Sequence, residues 1–122
     1  MKVIKLNIPV AGCWKRDCEL TDIQVKPSLL LAFNVETDDS VWRIVFKDYI
    51  AIKITSEEFT ADKCLRALPV EGAFFEIADS PWIEELMYAK KEILEKCKHF
   101  VFCFYDEAIE VIAEGFALDK IS

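Results

Sequence analysis

Residues 99–115 read HFVFCFYDEAIEVIAEG, and this stretch decides the fold class. Phe100, Phe102 and Phe104 fall on one side of an alternating pattern, and His99, Val101 and Cys103 on the other. Asp106-Glu107 breaks the run, Ala108 to Glu114 resumes it, and Gly115 closes it. Two aromatic and β-branched runs about a short polar turn read as a hairpin.

Working outward, the preceding segment reads as a helix. Ser80-Pro81 supplies an N-cap and a first helical residue that needs no N–H. Trp82, Ile83, Leu86, Met87, Ile93, Leu94 and Cys97 then form an apolar stripe, so one main amphipathic helix is expected over 80–98. Ala73 to Ala78 reads as a strand. Thr55-Ser56-Glu57-Glu58 has capping-box spacing, and a short helix is expected over 56–68, ended by Pro69. Leu29–Glu36, Val41–Lys47 and Tyr49–Thr55 alternate apolar and polar residues and are expected to form an antiparallel meander. Leu20–Lys26 and Lys2–Ile8 read as further strands, and Phe116–Ser122 as a short tail. The sum predicts an α+β fold: a mostly antiparallel sheet of about six to seven strands packed with the two helices.

A chain of 122 residues is one domain's worth, so 1–122 is read as a single domain. Only 3 Gly and 4 Pro occur, which excludes a linker-like or disordered composition. The net charge of −7 argues against a general nucleic-acid binder, because phosphate contacts need clustered base. Lys5 and Asn7 interrupt the first apolar run, and no apolar stretch reaches the ~18 residues of a membrane span. A cytoplasmic protein is expected. Five cysteines cannot all pair within one chain, so all are read as thiols, buried at Cys64, Cys97 and Cys103.

The residues allow little familiar chemistry. His99 is the only histidine, which excludes multi-histidine metal sites. Cys13, Cys18, Cys97 and His99 lack the paired short spacings of a structural zinc site, and no cofactor is expected. There is no Gly-rich phosphate loop, nucleophile elbow or H-E-x-x-H. A Cys103/His99 nucleophile pair is allowed by strand parity, and Glu57/Glu58 and Glu107/Glu110 are paired carboxylates by residue type alone. The acidity lies in the second half of the chain, at helix starts and on the last hairpin. Trp14 sits beside Lys15-Arg16 in an irregular segment, where an indole can anchor a partner.

The 99–113 string, with Trp42–Asp48 (WRIVFKD) and Ser80-Pro81-Trp82-Ile83, resembles small uncharacterised bacterial α+β domains. Some acidic domains of this build are immunity proteins, which bind and block a cognate toxin. The resemblance implies a bacterial, non-enzymatic, partner-binding protein and carries over no functional residue. Three readings follow. The first is a protein-binding domain that turns Trp14, Glu57, Glu58, Asp106, Glu107 and Glu110 toward a basic protein. The second is a structural or homo-oligomeric protein whose apolar strands pair at an edge, which predicts a stable homodimer with no other partner. The third is a small enzyme using carboxylates or Cys103/His99.

Overall fold

Alternation in the sequence becomes strand after strand. A computed structural model describes residues 1–10, 18–27, 29–37, 39–56, 68–69, 72–86 and 91–122, the Lys91 side chain excepted. Its strands are β1 (Lys2–Lys5), β2 (Glu19–Lys26), β3 (Leu30–Glu36), β4 (Val41–Lys47), β5 (Ala51–Ser56), β6 (Phe74–Ala78), β7 (Lys98–Cys103), β8 (Glu107–Ala113) and β9 (Ala117–Lys120). Two short helices, α1 (Pro81–Leu86) and α2 (Lys91–Leu94), lie between β6 and β7. Every pairing is antiparallel. One sheet has the order β1-β6-β7-β8-β5 and the other β2-β3-β4-β9.

The two sheets pack face to face as a sandwich. Leu31, Phe33 and Val35 of β3 and Ile44 and Phe46 of β4 share one core cluster with Phe100 and Phe102 of β7 and Ile109 and Val111 of β8. Aromatic rings carry the contact between sheets. Phe102 meets Phe33 at 5.6 Å and Phe46 at 5.8 Å between centroids, both edge-on. That geometry places a ring's positive edge on its neighbour's negative face.

The larger sheet also covers its second face. Phe75, Ile77, Val101 and Cys103 form another cluster there, with Val3, Leu68 and Ala108 against it. This is why β7 has no polar alternation: all its residues after Lys98 are buried.

The α+β expectation is overturned. Nine strands in two sheets form among the described residues, with only two short helices. Of the helix expected over 80–98, only Pro81–Leu86 and Lys91–Leu94 are helical among the described residues, 87–90 lie outside them, and Lys98 already belongs to β7. Two facing sheets cover each other's inner surfaces, so the core needs no long helix, and α1 buries no residue fully. Of the helix expected over 56–68, Ser56 ends β5 and Leu68 packs on the outer cluster, while 57–67 lie outside the described residues. The expected meander ends at β4. Asp48 turns the chain with φ 55, a left-handed conformation that Asp tolerates, and β5 joins β8 in the other sheet. The short tail is β9, with Leu118 opposite Ile44.

Cys18 is disulfide-bonded, which corrects the expectation of thiols throughout. Its partner lies outside the described residues, as do Cys13 and Cys64. The cysteine-based case for a reducing compartment fails at that residue. Cys97 and Cys103 carry thiols. No helix among the described residues is long and apolar enough to cross a membrane.

Candidate functional site

The β7–β8 turn gathers acidic groups at one end of the sandwich. Phe104 N–H donates to the Glu107 carbonyl at 2.8 Å, closing the turn, and Tyr105 N–H donates to the Cys18 carbonyl at 3.2 Å. The second bond ties the turn to the start of β2. Asp106, Glu107 and Glu19 thereby come close, and Glu36 lies directly across from Glu19 in the β2–β3 ladder. Burial, then Asp106, then Glu19 push the Glu107 carboxyl above the ordinary glutamate range. No salt bridge joins these four carboxylates to a described Lys or Arg. Tyr105 stands beside them and, at 65% exposure, is the most exposed large apolar side chain among the described residues.

A second constellation lies on the outer face of the larger sheet. His99 of β7 sits opposite Ile112, and Glu110 of β8 opposite Val101, so the two are diagonal neighbours on one face. His99 Nε2 and Glu110 Oε1 are 2.9 Å apart, and both side chains are fully buried. Ser80 Oγ lies 2.7 Å from His99 Nδ1. Ser80 also caps α1: its Oγ accepts from Ile83 N–H at 3.2 Å, and its carbonyl accepts from Glu84 N–H. The bonds close consistently when the Ser80 hydroxyl donates to Nδ1 and Nε2–H donates to the carboxylate. No described residue hydrogen-bonds Glu110 Oε2, but Lys53 Nζ stands 3.7 Å from it and 4.2 Å above the Trp82 ring. Trp82 meets the His99 ring edge-on at 5.3 Å.

Ser, His and Glu in one chain match the composition of a hydrolytic triad. Here the serine is 4% exposed, and its oxygen already accepts the cap bond. Pro81 follows it and offers no N–H to an oxyanion. What the bonds accomplish is attachment: they fix the first turn of α1 to β7 and β8. A cleft of about 380 Å³ opens nearby, lined by Glu76, Asp79, Ser80, Ile83, Leu94 and Cys97 among others. Burial and then Glu114 push the Cys97 thiol pKa up, which keeps it protonated and slow to react.

Of the six residues expected to face a partner, Trp14, Glu57 and Glu58 lie outside the described residues. Asp106 is exposed and Glu107 half-buried at the acidic end. Glu110 is corrected from a surface position to a buried one, because α1 and Trp82 cover the sheet face that alternation assigns to solvent. His99 and Cys103 share a face but stand four positions apart, about 13 Å along a strand. Both His99 nitrogens face Ser80 and Glu110 instead. Glu107 and Glu110 occupy different environments and form no pair. The sequence reading missed the Ser80–His99–Glu110 chain. Its signal was a polar residue in an otherwise apolar row of each hairpin strand. Among the described residues no group of three or more His, Cys, Asp or Glu is placed to hold a metal ion.

Comparison of the chain with protein-family models, with curated proteins and with solved structures returned no match.

Proposed function

We propose that this chain is a non-enzymatic protein-binding domain of the immunity type, whose acidic end engages and blocks a basic partner. One observation carries the reading: Glu19, Asp106 and Glu107 converge beside the exposed ring of Tyr105. Like charges held together oppose folding, and directly opposed pairs such as Glu19–Glu36 are destabilising across strands. A basic surface would relieve that repulsion, and Tyr105 offers an amphipathic anchor of the kind enriched at binding hot spots. Complementary charge also speeds encounter, so binding should be salt-sensitive.

The test is capture by the tagged protein from host lysate over a salt series, repeated with Asp106→Lys/Glu107→Lys and with Tyr105→Ala. The expected result is one basic protein held stoichiometrically at low salt, released at high salt, and lost with the charge-reversed variant. Circular dichroism would confirm that the variants fold. Binding that ignores both salt and charge reversal would sink the proposal.

A further inference from the structure

Among the described residues the strand β2 forms an edge of the smaller sheet, and none of its eight residues is buried. Val25 is 54% exposed and Ile23 41%. An edge strand presents unpaired N–H and C=O groups to any strand that fits. We propose that β2 pairs antiparallel with β2 of a second copy of this chain, joining the two smaller sheets into one continuous sheet about a two-fold axis.

On either side of its bulge the sequence of β2, ELTDIQVK, is complementary to itself when reversed; at the bulge itself Asp22 meets Ile23 of the second copy. Pairing about its midpoint sets Glu19 against Lys26 of the second copy, Leu20 against Val25, and Thr21 against Gln24. By symmetry each pair occurs twice. Acid meets base, apolar meets apolar and amide meets hydroxyl. Within one chain neither Glu19 nor Lys26 has an ion-pair partner among the described residues.

Register supports the same match. In a regular strand, residues 20 and 25 point to opposite faces, and this pairing would set a core-side residue against a solvent-side one. β2 is not regular. Its pairing with β3 slips between Thr21 and Gln24, where Asp22 adopts φ 48 and one extra residue is accommodated. Leu20 therefore lies opposite Val35 and Val25 opposite Leu31, both on the core side. Glu19, Thr21, Gln24 and Lys26 all fall on the other side. The bulge is what makes the self-pairing consistent in face. It also makes it selective. A bulged edge fits a regular strand poorly, whereas a second copy brings the same bulge to the same place. On the face away from the core cluster the bulge is held by the buried Asn34, which donates to Asp22 at 3.3 Å and accepts from Arg43 at 3.1 Å.

The experiment is sedimentation equilibrium of the purified protein over about three decades of concentration, with no other partner present, so its outcome is independent of the proposed toxin-type binding. A reversible dimer is expected. Glu19→Lys alone and Lys26→Glu alone each turn two attractive pairs into two repulsive ones. Each should raise the dissociation constant about tenfold or more. The double variant Glu19→Lys/Lys26→Glu restores opposite charges across the axis and should return it to within about threefold of the parent. Circular dichroism checks the fold of each. A protein that stays monomeric throughout overturns the proposal. So does a dimer indifferent to the single variants, or a double variant that fails to recover.

Discussion

Two glutamates of one strand, three positions apart, have opposite surroundings. Glu107 opens β8 at the acidic end, half-buried, with Asp106 and Glu19 as its charged neighbours. Glu110 lies in the middle of the same strand, fully buried, bonded to His99 and facing Lys53. The first carboxylate gathers like charge where a partner can reach it. The second supplies the charge that holds α1 against the sheet. The residue type is the same, and the difference comes from what covers each position.

The sharpest way to break that contrast is at Glu110. Glu110→Ala leaves the buried His99 Nε2–H without its acceptor and opens a cavity under α1, so a loss of about 2–4 kcal/mol is expected in urea denaturation. Ser80→Ala should cost less, about 1–3 kcal/mol, combining a lost helix cap with an unsatisfied His99 nitrogen. Amide exchange should localise that loss to α1 and the adjoining part of β7 before the inner core is affected. If Ser80→Ala leaves protection at α1 unchanged, the hydroxyl does not anchor the helix.

At the acidic end the effect should reverse in sign. A carboxyl whose pKa is raised on folding adds stability only while protonated. That contribution is full below the unfolded range and is lost as pH rises through the folded value. Glu107→Gln should therefore be slightly more stable than the parent at neutral pH, and the two should converge as acid protonates Glu107. Thermal melts at several pH values would show this, and destabilisation at neutral pH would contradict it. The smallest effect concerns a third glutamate, just beyond β8. Glu114 adds to the burial that raises the Cys97 pKa, so Glu114→Gln should speed thiol alkylation at neutral pH by about threefold. An unchanged rate would mean that burial alone governs the thiol.

Much of the strand framework was legible as sequence. Val41–Lys47 carries the same bounds in both readings, because Trp42, Ile44 and Phe46 mark one face without ambiguity. The helix over 80–98 misled because its apolar stripe satisfies helical spacing without requiring one continuous helix. Periodicity registers compatibility, and the β-forming run that starts at Lys98 is what ends it. The sheet change after Asp48 was not legible, since alternation in Ala51–Ser56 is the same whichever sheet receives it. β9 was missed because Ala117–Lys120 is short and half polar, and its pairing depends on the open edge of β4. At the site, the acidic turn could be read directly from Asp106-Glu107. Glu110 could not, because alternation cannot say whether a sheet face meets water or another element.

The hand-over at Asp48 also bears on how the molecule comes together. Local hairpins such as β3–β4 and β7–β8 can close early, each within about 1–10 μs in isolation. The remaining ladders cannot. β1 must find β6, β5 must find β8, and β9 must return to β4, each across long stretches of chain. Such non-local pairing slows folding, and here it interleaves the sheets: the larger is completed by strands that flank the smaller in sequence. Neither sheet is a contiguous segment, so neither can be cut out as an independent unit. The expected result is one cooperative transition, in which amide protons of β3 and β7 lose protection at the same denaturant concentration.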